Sequence, residues 1–225
     1  MQKEHVHEGS GVSDGIAIGI SLIKRDGLPD IPKYHLRKSD IEKEINRLSR
    51  SVETTKRQVR RLQNRTTQLP SSAASELHFL LDAYLQMLDG SRLIRGAYNQ
   101  ISQKLINAES AIQIEISSIS KAFDKLEDSY ISARIDDIQE VGNRLIKNLK
   151  KNRTHPIKPV AKDTIIIAER LAPADIAQID PAKVIGIVAM LGGVDGHSAI
   201  MARALGLPCV LGATSLLTSI QSGDP

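Results

Sequence analysis

The sequence predicts an α/β domain that is interrupted by a large all-α insertion. Residues 11–24 and the region after residue 150 carry β-branched runs separated by glycines, which is typical of strands and tight turns. From residue 40 to residue 149 the apolar positions instead recur every three or four residues, which is typical of amphipathic helices. Because the two ends are alike and the middle differs, we expect the N-terminal segment to join the sheet of the C-terminal part.

Composition narrows the class of protein. Hydrophobic residues make up 41% of the 225 residues and charged residues 25%, which is ordinary for a soluble globular chain. The formal net charge is +4, and the basic residues are not interleaved with aromatic ones, so we expect no nucleic-acid partner. The single cysteine, Cys209, excludes an internal disulfide and fits a reducing compartment. The longest apolar run, 184–191, is too short to span a bilayer, so we expect a cytoplasmic protein with no membrane partner.

The middle of the chain is predicted to form a helical bundle. Helices are expected at 40–63, at 73–88 and at 92–105, and a longer helical stretch at 107–149 with a bend near Asp128. The second helix is expected to bury one apolar stripe, formed by Leu77, Leu80, Leu81, Tyr84 and Leu88. Such helices bury their apolar faces only by packing against each other, which predicts a bundle.

The C-terminal third is predicted to alternate strands and helices. Buried strands are expected at 163–168, 184–190 and 208–212, with a short helix at 174–178 and a second helix ending near Leu205. Combined with the N-terminal segment, this pattern predicts an α/β subdomain at 1–30 and 151–225. The helical subdomain then occupies 31–150.

The chemical centre is predicted at the turn after the strand 184–190. Gly192, Gly193 and Gly196 allow the backbone to turn sharply, and His197 follows at or just before the first turn of a helix. Unpaired N–H groups and the helix dipole favour an anion there, and a neutral imidazole can attack phosphorus. We therefore predict that His197 accepts a phosphoryl group, with Gly196, Ser198 and Arg203 as candidate phosphoryl-binding residues. Whether Arg203 faces the anion or the sheet stays open.

Four segments carry a resemblance to a known family. The pattern Gly-Gly-x-x-x-His-x-x-Ile-x-Ala-Arg at 192–203, followed by Gly-Leu-Pro-Cys-Val-Leu-Gly at 206–212, resembles the phosphohistidine signature of phosphoenolpyruvate-utilising enzymes. That group includes Enzyme I of the bacterial phosphotransferase system and pyruvate phosphate dikinase. Segments 13–19, 128–145 and 171–175 resemble Enzyme I in the same order. From about residue 9 to residue 225 the chain is therefore similar to the N-terminal, phosphohistidine and HPr-binding domain of Enzyme I.

The resemblance implies a fold, a reaction and a partner. It implies a swivelling α/β phosphohistidine subdomain interrupted by an all-α subdomain that docks a small phosphocarrier protein, HPr or a relative. The reaction is that of a phosphoenolpyruvate-protein phosphotransferase, in which the phosphoryl group passes from phosphoenolpyruvate to His197 and on to a carrier histidine. The resemblance fits both the sugar-uptake branch and the nitrogen-related branch of the phosphotransferase system. The acidic docking face of the family points to Glu76, His78, Asp82 and Asp89, although His78 also fits a plain surface histidine.

Family members continue into a barrel domain that binds phosphoenolpyruvate and Mg²⁺. We therefore expect that the chain carries no cofactor itself, that Mg²⁺ belongs to that C-terminal domain, and that this stretch alone does not use phosphoenolpyruvate. The C-terminal domain is thus an expected partner within the same polypeptide.

Two residues depart from the family pattern. Asp195 stands two residues before the histidine, where the family has a hydroxyl residue, and Ala172 stands where the family has a threonine that can reach the histidine. Asp195 can repel a phosphoryl group, fix the imidazole tautomer by accepting its N–H, or cap the helix, and these alternatives stay open. The alternative function is a catalytically silent regulatory or binding module of the same fold.

Overall fold

The computed structural model describes residues 5–24, 31–65, 71–123, 129–150, 161–176, 178–194, 196–216 and 219–225. These residues form two compact units. The sheet unit lies within residues 1–27, 65–78 and 155–225, and the helical unit within residues 28–64 and 79–154. The sequence division at residues 30 and 150 stays a prediction, and the structure groups residues 65–78 with the sheet unit.

The sheet unit is built on one five-stranded sheet. Its strands are β1 (Ser10–Ser13), β2 (Ile20–Lys24), β3 (Thr164–Ala168), β4 (Val184–Ala189) and β5 (Cys209–Leu211). Their spatial order is β1-β5-β4-β3-β2, and every neighbouring pair is parallel except β1 with β5. The N-terminal segment therefore supplies both edge strands, and β4 lies at the centre.

The central strands are buried because both faces of a parallel sheet are covered. The runs Thr-Ile-Ile-Ile-Ala in β3 and Val-Ile-Gly-Ile-Val-Ala in β4 are nearly continuous in apolar residues, as this environment requires. Two short helices follow strands of this sheet, α6 (Pro173–Ile176) after β3 and α7 (His197–Ala204) after β4. The predicted α/β fold is confirmed, together with all three C-terminal strands.

The N-terminal end is tied to the C-terminal loop of the same unit. His7 contacts two serine hydroxyls, with Nδ1 2.9 Å from Ser215 Oγ and Nε2 2.8 Å from Ser219 Oγ. Further along, the backbone N–H of Gly223 donates to the carbonyl of Ser21 in the edge strand β2. These bonds link residues from both ends of the chain to one sheet.

The helical unit contains most of the helical residues. A 3-10 turn (Lys38–Asp40) leads into α1 (Ile41–Arg65), and the later helices are α3 (Arg92–Lys104), α4 (Ala108–Phe123) and α5 (Ser129–Leu149). Helix α2 (Ser71–Leu88) starts in the residue range of the sheet unit and ends in that of the helical unit. The predicted helices are thus confirmed, and the predicted bend near Asp128 lies outside the described residues.

Apolar stripes form the core of the helical unit, as their spacing predicts. Fully buried side chains include Leu48, Leu81, Tyr84, Ile101, Ile112 and Leu145. Polar residues are buried with them, which the spacing does not predict. Glu44 and Glu109 both contact the guanidinium of Arg47, and Glu44 also accepts the backbone N–H of Ala108 at the start of α4. Among the described residues, no helix is both long and apolar enough to cross a membrane.

Candidate functional site

The glycine loop after β4 brings His197 to the carboxyl edge of the sheet. Gly192 has a φ of +139°, a conformation that side-chain-bearing residues rarely adopt. The N–H of Gly196 then donates to the carbonyl of Gly193 at 3.0 Å, and the helix α7 starts at the next residue. In parallel α/β sheets, this edge is where ligands bind.

His197 is the first residue of α7 and is partly open to solvent. Its side chain is 27% exposed, but the Nδ1 atom itself is buried. The exposed fraction therefore belongs to the other atoms of the side chain. The first N–H groups of a helix have no carbonyl partner within the helix, so the start of α7 places an imidazole beside backbone donors of this kind.

Ser198 links the start of α7 to the loop that follows β3. Its hydroxyl donates to the carbonyl of Leu171 at 2.6 Å. The same loop is held by Asp175, which accepts the N–H of Ala172 at 3.1 Å and forms an ion pair with Lys24 of β2 at 2.7 Å. The hydroxyl proton of Ser198 is thus used within the fold, which leaves its backbone N–H as the donor that can face an anion.

Arg203 donates hydrogen bonds to two backbone carbonyls. Its Nη1 lies 3.3 Å from the carbonyl of Val12 in β1 and 3.2 Å from the carbonyl of Val194 in the glycine loop. The guanidinium therefore connects the edge strand to the loop that precedes His197. Phosphoryl binding by Arg203, Gly196 and Ser198 stays a prediction.

Of the two residues that depart from the family pattern, the structure describes only Ala172. Asp195 lies outside the described residues. Ala172 is buried beside the start of α6, and its methyl group can neither donate nor accept a hydrogen bond. The family contact from a threonine hydroxyl is therefore absent at this position.

Glu76 contacts His197. Its Oε1 lies 3.7 Å from His197 Nδ1, and both residues belong to the sheet unit. The Glu76 side chain is 40% exposed. The sequence placed Glu76 among the carrier-docking residues because of the family resemblance, and that role stays a prediction. Its approach to His197 was missed, because nothing in the local pattern of α2 indicates it.

The other predicted docking residues lie at the protein surface. His78 and Asp82 are exposed on α2, and Asp82 Oδ1 accepts a hydrogen bond from Gln63 at 2.7 Å. Asp89 follows α2 and pairs with Lys56 of α1 at 2.5 Å. The hydrogen bond from Lys56 lowers the pKa of the Asp89 carboxyl. The side chain of Asp89 is thus already engaged in a surface ion pair.

Phe79 is a surface residue that the sequence prediction missed. It is 66% exposed on α2, although the chain contains only two phenylalanines. A signal existed, since Phe79 falls outside the apolar stripe that the spacing of α2 defines. Exposed aromatic side chains are enriched at protein-binding surfaces.

Comparison with known families decides the class of the protein. A family model described as PEP-utilising enzyme, N-terminal, matches residues 8–134, and one described as PEP-utilising enzyme, mobile domain, matches residues 160–225. The chain belongs to the PEP-utilising enzymes. His197 and the glycine loop lie in the match to the mobile domain of the PEP-utilising enzymes.

Curated relatives among the PEP-utilising enzymes are much longer than this chain. The phosphoenolpyruvate-protein phosphotransferase of Buchnera aphidicola subsp. Baizongia pistaciae is 28% identical over 212 residues, which cover 94% of this chain and 36% of the relative. The protein of the same name from Geobacillus stearothermophilus is 29% identical over 223 residues, which cover 99% and 38%. The chain therefore spans little more than a third of these relatives.

Solved structures of PEP-utilising enzymes confirm the resemblance to the N-terminal domain of Enzyme I. The solution structure of an Enzyme I protein is 27% identical, with a TM-score of 0.75 over 97% of this chain and 87% of that chain. The N-terminal domain of Enzyme 1–Nitrogen is 26% identical, with a TM-score of 0.61 over 96% and 85%. The predicted architecture is thus the architecture of this family.

Proposed function

We propose that this chain carries the phosphohistidine of a phosphoenolpyruvate-protein phosphotransferase. In this proposal His197 takes a phosphoryl group that originates from phosphoenolpyruvate, bound by a C-terminal domain of the same polypeptide. It then passes the group to a histidine of an HPr-like carrier. The observation that carries the proposal is the position of His197 at the start of α7, behind a glycine loop at the carboxyl edge of a parallel sheet. The names of the curated relatives support the same reaction.

The geometry favours Nε2 of His197 as the nucleophile. Since Nδ1 is buried, the nitrogen at the far side of the ring is the one that a phosphoryl donor can approach. The backbone N–H of Ser198 and the dipole of α7 are suited to the negative oxygens of the phosphoryl group. Arg203 contributes by holding the loop, through its contact with Val194.

We propose that the two predicted subdomains have separate roles in the transfer. Residues 1–30 and 151–225 hold the phosphohistidine, and residues 31–150 dock the carrier. Phe79 supports docking on α2, because an exposed aromatic side chain can bury against the apolar surface of a partner. Asp82 lies one turn along the same helix and supplies negative charge for a basic carrier.

Phosphorylation by a labelled phospho-carrier tests the proposal. We expect the wild-type chain to take up label that is labile to acid and stable to base, as phosphohistidine is, and His197→Ala to take up none. His35→Ala is the matched control, since His35 is an exposed histidine of the helical unit and its loss should leave labelling unchanged. Equal labelling of the wild type and His197→Ala would contradict the proposal.

A catalytically silent binding module is the second candidate, and Ala172 is the observation that favours it. Without the family hydroxyl at this position, one contact to the histidine is lost. The same experiment separates the two functions. A wild-type chain that binds the carrier but takes up no label would support the silent module.

A further inference from the structure

We infer that Glu76 is a positioning residue that fixes the tautomer of His197. In this role its carboxylate accepts the Nδ1 proton of the imidazole, so that the lone pair stays on Nε2. The inference rests on the proposed function of His197 as phosphoryl acceptor. It assigns Glu76 a task other than the carrier docking that the sequence suggested.

The geometry brings the two groups together within one unit. Glu76 Oε1 and His197 Nδ1 are 3.7 Å apart. A charge-assisted hydrogen bond spans about 2.7–2.9 Å, so the pair must close by less than about 1 Å. The Glu76 side chain is 40% exposed and can change rotamer to do so. Catalytic hydrogen bonds are often long before the partner is bound.

The tautomer decides whether the imidazole can react. A neutral imidazole carries its proton on one nitrogen and a lone pair on the other. If the proton sits on Nε2, the accessible nitrogen has no lone pair and cannot attack phosphorus. A carboxylate opposite Nδ1 favours the reactive tautomer, as carboxylates do for histidines in metal sites and catalytic triads.

The transfer step then needs no proton movement at His197. The Nε2 lone pair forms the new N–P bond while the N–P bond to the carrier histidine breaks, and that electron pair returns to the carrier ring. The His197 ring keeps its Nδ1 proton and gains positive charge during attack. The negative charge of Glu76 stabilises this developing charge, which a neutral acceptor does less well.

Glu76 provides a hydrogen-bonding group near His197, which the side chain of Ala172 cannot provide. The family threonine hydroxyl can reach the histidine, whereas the Ala172 side chain is a methyl group in this chain. Helix α2 brings the Glu76 carboxylate to 3.7 Å from Nδ1, so Glu76 can act as the acceptor at this nitrogen.

Nitrogen NMR of the unphosphorylated chain tests the inference directly. Long-range ¹H–¹⁵N spectra report the protonated ring nitrogen of each of the six histidines, and His197→Gln identifies the His197 signals. We expect Nδ1–H in the wild type and in Glu76→Gln, because an amide oxygen still accepts a proton donor. We expect a shift of population towards Nε2–H in Glu76→Ala. Unchanged ring signals in Glu76→Ala would overturn the inference.

Transfer kinetics provide the second readout. Glu76→Ala should lower kcat roughly 10- to 100-fold, as loss of an outer partner of a functional histidine does. Its KM for the phospho-carrier should change by less than about twofold, and Glu76→Asp should recover part of kcat. Glu8→Gln is the charge-matched control, because Glu8 is an exposed carboxylate of the sheet unit and lies outside the residues proposed to dock the carrier.

The outcomes distinguish failure of the positioning role of Glu76 from failure of the proposed function of His197. A loss confined to KM, with kcat unchanged, would mean that Glu76 only docks the carrier, and would overturn the positioning role. A wild-type chain that takes up no label would refute the proposed function. The NMR experiment uses no carrier, so its result on the tautomer is independent of that failure.

Discussion

The sheet unit and the helical unit bury different kinds of polar side chain. Among the described residues, the buried polar side chains of the sheet unit are Ser21 and Thr164, which are both neutral. The described residues of the helical unit bury four carboxylates, on Glu44, Glu109, Glu115 and Asp137. The sheet unit is thus specified by the shape of its aliphatic side chains and by its backbone ladder. The helical unit depends in addition on the pairing of charged groups.

Each buried carboxylate of the helical unit has a partner on another segment. Gln100 donates to Glu115 at 2.8 Å, the Tyr84 hydroxyl faces Asp137 at 3.4 Å, Arg47 contacts Glu109, and the backbone N–H of Ala108 donates to Glu44 at 2.7 Å. Burial of a charge is unfavourable unless it is paired and hydrogen-bonded. These pairs therefore hold the helices in one arrangement, because any slip of one helix leaves a buried charge without its partner.

The two units can be followed by separate probes. All four tyrosines, Tyr34, Tyr84, Tyr98 and Tyr130, fall in the residue range of the helical unit, and the chain has no tryptophan. The single cysteine, Cys209, is buried in β5 of the sheet unit. Tyrosine fluorescence thus reports unfolding of the helical unit, and thiol labelling reports opening of the sheet unit.

Arg47→Met should have the largest effect, and the effect should be confined to the helical unit. Methionine keeps much of the apolar stem but leaves Glu44 and Glu109 buried without their cation. We expect a loss of about 3 kcal/mol in the free energy of unfolding, as for other buried pairs that lose one member. Urea unfolding followed by tyrosine fluorescence measures this loss.

Lys56→Met provides the matched control on the same helix. Lys56 pairs with Glu53 and Asp89, whose side chains are 62% and 67% exposed. Exposed ion pairs contribute little because water solvates both charges. The control should therefore unfold close to the wild-type urea concentration. An equal loss in both variants would show that burial of the carboxylates is not what makes Arg47 important.

Sequence patterns predicted the elements of both units but only part of their interiors. The runs in β3 and β4 and the stripe through Leu81 and Tyr84 are periodic, and periodicity is a local property of the chain. A glutamate in such a pattern counts as a surface residue, so the burial of Glu109 could not be predicted. The same holds at the site: glycine spacing places His197, but the approach of Glu76 depends on tertiary packing.

Alkaline pH should weaken the sheet unit through Cys209. Burial raises the pKa of its thiol from 9.0 to about 11. Between these values the unfolded chain releases the thiol proton and the folded chain retains it, so the raised pKa lowers stability as pH rises. The expected loss is roughly 1.4 kcal/mol per pH unit above pH 9, or about 2 kcal/mol near pH 10.5.

Thiol labelling measures this loss at each pH. The labelling rate of the native chain, divided by that of the unfolded chain at the same pH, gives the equilibrium for opening of the sheet unit. The opening free energy should be constant below about pH 8 and should fall above pH 9. An opening free energy that stays constant to pH 10.5 would mean that the buried thiol ionises as readily as an exposed one.

Removal of one methylene group from each core should have the smallest effect and should be alike in the two units. Ile166 in β3 and Ile112 in α4 are 1% and 0% exposed. Ile166→Val and Ile112→Val should each cost about 1 kcal/mol, because both interiors are close-packed and lose the same volume. Thiol labelling measures the first variant and tyrosine fluorescence the second. Equal costs would leave the buried carboxylates as the difference between the units, whereas a several-fold larger cost for Ile112→Val would place that difference in the packing of the helices.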